Sequence, residues 1–277
     1  MLVTLREVLK DAQEKKYGVG LFNTVNLEMA KGVLAAAEEL NSPVIIGTAE
    51  VLLPTAGLEE LSYFLLPMAR KASVPVVLHY DHGLTEPKIM EALRLGFSSI
   101  MYDCSTDAYE NNVRRVARMV EIAHLFGATV EGELGHVGAN ETGSCDEGIY
   151  TQPEQARDFV ERTGVDALAV AIGTAHGAYK EKPKLDIGRL SQIAHTVSTP
   201  LVLHGGSGLS DEDFRNCVAN GICKVNIFTD INCAAARAAH DGYQEGCGLT
   251  DLQDGITQAV KEETMTKMRV FGSAGRG

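Results

Sequence analysis

Short runs of nearly continuous apolar, β-branched residues alternate along the chain with longer segments whose apolar positions recur at three- and four-residue steps. The runs are 18–23 (GVGLFN), 43–48 (PVIIGT), 74–80 (VPVVLHY), 98–102 (SSIMY), 128–133 (ATVEGE), 166–172 (DALAVAI), 199–204 (TPLVLH) and 222–227 (ICKVNI). Continuous apolar runs suit strands covered on both faces, whereas steps of three and four suit amphipathic helices. The helical segments are 27–40, 58–71, 86–95, 108–126, 153–163, 187–197 and 211–220. Strands alternating with helices at about 35 residues per unit predict an α/β chain folded as a (β/α)8 TIM barrel. A single domain over 1–277 is expected, and a doubly wound open sheet is the alternative. An extra N-terminal helix is predicted over 3–16, and a C-terminal helical extension over 230–241 and 252–270. The longest connection without periodicity, 134–151 (LGHVGANETGSCDEGIYT), follows the fifth run. A connection of that length inside a compact domain is usually a functional lid or disordered.

Composition narrows the classes of partner. The 277 residues are long enough to bury a core without disulfide or metal staples. Charges of 25 basic and 37 acidic residues give −12, which argues against nucleic acid or an anionic membrane as partner. No apolar run approaches the ~20 residues of a membrane span, and the charged, amphipathic N-terminus has no apolar signal-peptide core. Cys104, Cys145, Cys217, Cys223, Cys233 and Cys247 form no C-x-x-C pair and no disulfide-like framework. A reducing, cytoplasmic setting is therefore expected.

In a barrel of this kind the chemistry sits at the C-terminal ends of the strands. Those ends carry, in order, Asn23, Thr48, His79-Tyr80-Asp81-His82, Asp103, Glu133, His176, His204 and Asn226. A single strand-end histidine is commonly a satisfied structural group, but three from separate strands, beside several carboxylates, predict a metal site. Catalytic zinc typically takes three protein ligands and keeps one position open. His82, His176 and His204 would supply three imidazoles from the ends of the third, sixth and seventh strands. His79 and Asp81, two apart, project to the same side while the segment is extended. His82 joins them at the rim once the strand turns, which makes His79 an inward-facing packing residue. His136, in the long connection, is the rival third ligand. His124, His195 and His240 fall within helical patterns and read as surface or packing residues.

The last two strands carry a second signal. His204-Gly205-Gly206-Ser207-Gly208 leaves the seventh strand and Asn226-Ile227-Phe228-Thr229-Asp230 leaves the eighth. Barrels often bind phosphate through backbone N–H groups of these loops and a helix N-terminus, and glycine lets the backbone approach the anion. Thr229 or Asp230 could instead simply cap the helix that follows. Gly-Thr-Ala-His-Gly at 173–177 adds flexible backbone beside His176. Backbone dipoles allow even an acidic chain to bind an anion locally.

In order and spacing, Val-Leu-His-Tyr-Asp-His (77–82), Glu-Leu-Gly (133–135), Gly-Thr-Ala-His-Gly (173–177), His-Gly-Gly-Ser-Gly (204–208) and Lys-Val-Asn (224–226) resemble the class II, zinc-dependent ketose-bisphosphate aldolases. The resemblance runs from about residue 3 to the closing Phe271-Gly272-Ser273-Ala274-Gly275. It implies reversible aldol cleavage of a phosphorylated ketose, such as fructose or tagatose 1,6-bisphosphate, to dihydroxyacetone phosphate and an aldehyde. It implies His82, His176 and His204 as ligands of Zn2+, with Glu133 at an alternative metal position and Asp103 as a further carboxylate of the site. It implies Asp81 as the catalytic acid/base and Glu141, on the connection after the fifth strand, as the group moving the second proton. Asn23, Gly177, Gly205, Ser207, Asn226 and Thr229 are the implied substrate-binding residues. A nearby monovalent cation (Na+ or K+) and a homodimer or homotetramer are implied as well.

Three positions depart from the family pattern. Asn140 stands where an acid often precedes Glu141 and bears on that residue's assignment, whereas Phe228, replacing a commonly polar residue, and His136, replacing a small or uncharged one, bear on the sugar more than on the reaction. Two other readings stay open at this level. A Schiff-base aldolase would need a barrel lysine, for which Lys224 is the nearest candidate, and a non-catalytic subunit of an aldolase complex would keep the barrel without the chemistry.

Overall fold

A computed structural model describes residues 1–136, 150–175, 177 and 183–277. A short strand β1 (Leu2–Val3) is followed by helix α1 (Leu5–Lys15). The barrel strands are β2 (Val19–Asn23), β3 (Val44–Ala49), β4 (Val76–Gly83), β5 (Ser99–Tyr102), β6 (Thr129–Leu134), β7 (Ala167–Val170), β8 (Leu201–Leu203) and β9 (Ile222–Ile227). Between them run α2 (Leu27–Glu39), α3 (Leu58–Lys71), α4 (Glu86–Leu95), α5 (Tyr109–Leu125), α6 (Pro153–Thr163), α7 (Ile187–Thr196) and α8 (Asp211–Ala219). After β9 come α9 (Thr229–Gly242) and α10 (Leu249–Phe271), the latter packed on α2 and α9. Every neighbouring pair of barrel strands is parallel, and β2 pairs with β9, closing the sheet. The open-sheet alternative is thereby excluded. Among the described residues no helix is long and apolar enough to cross a membrane.

The first residues differ from the single helix predicted over 3–16. Leu2 and Val3 pair with Val76 and Val77 of β4, and the helix begins only after Thr4. Thr4 donates its N–H and hydroxyl to the Glu7 carboxylate (2.7 and 2.8 Å), a reciprocal cap that fixes where the helix starts. α1 then plugs the N-terminal mouth of the barrel. Leu5, Val8, Leu9 and Ala12 pack on the inward residues Val19, Leu21, Ile45, Val77, Ala167, Ala169 and Val202. The outward faces of the strands and the inner faces of the surrounding helices form the larger apolar layer.

Period-2 alternation decides what lies above this plug. Val77 faces inward, so His79 and Asp81 do as well, and Val19 and Leu21 are followed on the same face by Asn23. The lower interior is hydrocarbon, whereas the upper interior, at the C-terminal strand ends, is lined by buried polar groups. A charge buried in that layer requires a partner.

Candidate active site

The predicted third strand ended at residue 80, but β4 continues through Gly83 and carries Asp81 and His82 with it. Its pairing with β5 shifts register between Tyr80 and Gly83, and His82 adopts a left-handed backbone (φ 42°). A non-glycine residue in that region is strained by ~1–3 kcal/mol, which the surrounding contacts must offset. The bulge turns His82 onto the inner rim beside Asp81, where regular alternation would have pointed it outward into the helix layer.

His82 and His204 meet edge to face, ring centroids 4.5 Å apart, with His82 Nε2 and His204 Nδ1 separated by 2.8 Å. Their other nitrogens are held by carboxylates. His82 Nδ1 donates to Asp103 Oδ2 at 2.9 Å, and His204 Nε2 donates to Glu131 Oε1 at 2.7 Å. With both outer nitrogens donating to carboxylates, the two inner nitrogens can meet at this distance either around a proton carried by His82 or as lone pairs turned toward a bound cation. Burial opposes protonation of His82, but the Asp81 charge and the Asp103 hydrogen bond outweigh it and push the ring up to about 9. Burial and the neighbouring His82 charge lower His204. Glu133 Oε2 approaches His204 Nδ1 to 3.7 Å. Donor atoms of Asp81, His82 and His204, and those of His82, Asp103 and Glu133, form two groups compact enough to hold an ion. Imidazoles whose far nitrogens are anchored by carboxylates form the usual environment of catalytic zinc, so these residues fit that metal. Carboxylate partners of this kind tune affinity, and Asp103→Asn is expected to weaken zinc binding about 10–100-fold. Competition of the apo protein against a chromophoric chelator measures this, and unchanged affinity would remove Asp103 from the site.

Asp81 is held from two sides. Asn23 Nδ2 donates to Oδ2 at 2.8 Å, and Asn226 Nδ2 donates to Oδ1 at 3.0 Å. Burial would raise its pKa, but the charges of His82, Lys224 and His204 hold the carboxyl far below the usual range. Asp103 is likewise kept ionised, with burial outweighed by His82 and Ser105. His79 is the inward packing residue that the sequence suggested. Its Nδ1 meets Ser99 Oγ at 2.7 Å, and burial followed by the Lys224 charge pushes it down to about 3, leaving a neutral ring.

Glu131 escaped the sequence reading. It is fully buried, holds His204 and accepts from Lys224 Nζ at 2.8 Å. Burial alone would raise its pKa, but Lys224 and His204 keep it ionised. Its signal was present, because it precedes Glu133 by two residues on one strand and therefore shares its inward face. Lys224 is bound at both ends of its function: its ammonium pairs with Glu131 and donates to Asn226 Oδ1 at 2.7 Å. A lysine engaged in this way has no free amine for imine formation, which disfavours the Schiff-base alternative.

The described residues bring together all six predicted substrate positions. A cavity of about 490 Å3 is lined by Asn23, Asp81, His82, Asp103, Gly177, Gly205, Ser207, Asn226 and Thr229, together with His136 and Phe228. Glu133 and His204 are buried and approach the lining residues His136 and His82 respectively. His136 meets Ser105 Oγ at 3.1 Å and lies 3.8 Å from Glu133 Oε1. Gly205 takes φ 63°, and a Cβ there would stand 2.5 Å from the Ala175 carbonyl oxygen, so only glycine fits. The capping role offered for Thr229 or Asp230 is not observed. Phe228 occupies the cap position of α9 without a side-chain cap bond, and Asp230 instead pairs with Lys267 at 2.7 Å. Thr229 is thus the first helical residue, and the amides of this first turn border the cavity. His176 and Glu141 lie outside the described residues.

Comparison with known proteins agrees with this geometry. The family model described as fructose-bisphosphate aldolase class-II matches residues 3–276. The chain is 42% identical to YdjI of Escherichia coli K12 over 280 residues, covering 100% of this chain and 99% of that one. It is 41% identical to a fructose-bisphosphate aldolase of Thermus caldophilus over 305 residues, covering 100% of both. The crystal structure of the E. coli YdjI aldolase superposes with a TM-score of 0.89 at 38% identity, covering 100% of this chain and 99% of that one. A barrel matched over its whole length, with paired histidines and carboxylates at the expected strand ends, belongs to the class-II fructose-bisphosphate aldolase family of metal-dependent aldehyde-lyases.

Proposed function

We propose that this chain catalyses the zinc-dependent, reversible cleavage of a phosphorylated ketose to dihydroxyacetone phosphate and an aldehyde. The observation that carries this reading is the pairing of His82 and His204, inner nitrogens converging and outer nitrogens anchored, directly beside an ionised Asp81. Bound zinc would supply Lewis-acid stabilisation of the charge that develops on the ketose C2 oxygen as the C3–C4 bond breaks. His82, His204 and His176 are its proposed ligands, with Glu133 at an alternative metal position and Asp103 the further carboxylate of the site, holding His82 from behind.

Asp81 takes the proton from the C4 hydroxyl during cleavage and returns it to the aldehyde oxygen during condensation. The two carboxamides that grip it keep its oxygens aimed, and the surrounding cationic groups keep it ionised, as a base at this position requires. Glu141 moves the proton at the carbon freed by cleavage. Gly177, Gly205, Ser207, Asn226 and Thr229, with backbone amides at the start of α9, hold the dihydroxyacetone phosphate portion. That portion is common to fructose 1,6-bisphosphate, tagatose 1,6-bisphosphate and other ketose 1-phosphates, so these contacts select the half-substrate and leave the sugar to the opposite wall. A monovalent cation near the phosphate, and assembly into a homodimer or homotetramer, are part of the same proposal.

The test separates binding from chemistry. Chelator treatment verified by metal analysis is expected to abolish both ketose cleavage and solvent-proton exchange into dihydroxyacetone phosphate, and one equivalent of zinc per chain should restore both. Turnover that persists in demonstrably metal-free protein would overturn the reading, and trapping by borohydride would point to an imine instead.

A further inference from the structure

The part of the cavity lining supplied by the end of β3 and the segments that follow β3 and β4 includes a run of carbon. Ala49 at the end of β3, Val51 and Leu52 just after it, and Leu84 just past β4 all line it. Val51 and Leu84 are 67% and 46% exposed, an unusual degree for aliphatic side chains around a polar catalytic centre. The wall is also a fixed structure. Glu50 accepts from Leu84 N (2.7 Å), Thr85 N (3.1 Å), the Thr85 hydroxyl (2.7 Å) and the Tyr80 hydroxyl (3.0 Å). One carboxylate thus clamps the short helical turn Glu50–Leu52 to the segment after β4 and holds Val51, Leu52 and Leu84 in place.

The carboxylates Asp81 and Asp103 both line the cavity, whereas none of the described residues lining it is a lysine or arginine. His82, the nearest cationic group, is engaged at the ion-binding position. A phosphate dianion placed here would exchange water for hydrocarbon and face carboxylates, which is unfavourable on both counts. An uncharged chain would release water from the wall instead. His136, also in the lining, offers a ring nitrogen suited to a hydroxyl.

Resting on the proposed aldolase reading, we infer that the aldehyde half of the substrate is unphosphorylated and uncharged, so that the physiological ketose is a 1-monophosphate whose far end lies against Val51, Leu52 and Leu84. The retro-aldol step is unchanged: the C3–C4 bond breaks, its electrons stay with the dihydroxyacetone phosphate carbon, and the C4 hydroxyl proton passes to Asp81 as the neutral aldehyde forms.

The experiment runs the condensation with zinc-loaded protein, dihydroxyacetone phosphate and one of three aldehydes: D-glyceraldehyde 3-phosphate, D-glyceraldehyde or butyraldehyde. Expected kcat/KM values for the two uncharged aldehydes are about 10-fold or more above that for the phosphorylated one, equivalent to ~1.4 kcal/mol. Leu84→Arg and, separately, Val51→Lys should shift that ratio about 10-fold towards the phosphorylated aldehyde. A wild-type preference for D-glyceraldehyde 3-phosphate would overturn the inference, as would a ratio that neither variant moves. Solvent-deuterium exchange into dihydroxyacetone phosphate, which needs no aldehyde, distinguishes the two levels. Exchange together with a phosphorylated-aldehyde preference removes only this inference, whereas no exchange in the zinc-loaded protein removes the aldolase reading and this inference with it.

Discussion

Asp81→Ala is expected to slow ketose cleavage about 10²–10⁴-fold, the usual cost of removing a positioned acid/base, while the protein retains its zinc. The carboxylate is anchored by Asn23 and Asn226, not by the ring nitrogens of His82 or His204, so its loss leaves the paired imidazoles and their carboxylate partners in place. Kinetics and metal content together therefore separate an acid/base from a ligand. Loss of zinc in the variant would make Asp81 a ligand, and a rate near wild type would remove it from the chemistry. Truncation also strips two buried carboxamides of their acceptor, at ~1–3 kcal/mol for each donor left unsatisfied. Asp81→Asn serves as the companion variant, because it keeps the volume and one acceptor oxygen. It should be folded and metal-bound yet almost as slow, since a carboxamide cannot take the C4 hydroxyl proton.

His204→Ala should remove zinc and activity together. His204 is wholly buried, and its ring links Glu131 on one side to His82 on the other. Deleting it removes one of the two converging nitrogens and releases the Glu131 carboxylate from half of its hold. Loss of a direct ligand is expected to cost more than the ~10–100-fold typical of the carboxylates behind the ligands. Zinc content after dialysis against buffer should fall well below one per chain, and activity should fall in proportion. Thermal unfolding supplies an independent reading. At free zinc 100 times its dissociation constant the wild type gains about 2.7 kcal/mol by mass action, and the variant should gain almost nothing. Full metal occupancy, or an undiminished zinc-dependent rise in Tm, would exclude His204 as a ligand.

Much of this site could be read along the chain because a parallel barrel makes strand ends converge. Once the eight apolar runs are recognised, any polar residue that closes a run falls on one rim, whatever its distance in sequence. That is how Asn23, Asp81 and Asn226 could be named together, although 145 residues separate Asp81 from Asn226. The motifs around His82, His204 and Gly205 carried the resemblance for the same reason. Glu131 escaped because it lies inside a run, where a lone charge reads as an interruption of the apolar pattern. Val3 was absorbed into the helix and Leu2 left outside any element because two residues carry too little period to declare a strand.

By itself, then, the sequence determined the barrel, the rim on which chemistry occurs and the residue types gathered there, since these follow from periodicity and chain order. Tertiary structure alone decided how those residues act on one another. The left-handed turn at His82 and the register shift beside it bring an outward position inward, and no local pattern announces such a bulge. The state of each ionisable group depends on neighbours from other strands: Lys224 from β9 keeps Glu131 of β6 charged, and carboxylates just past β5 and on β6 orient the two imidazoles. The carbon wall around Val51 and Leu84 is likewise assembled from two strand ends and held by Glu50. Electrostatic energy and packing depend on distance in space, and only closure of the barrel sets those distances.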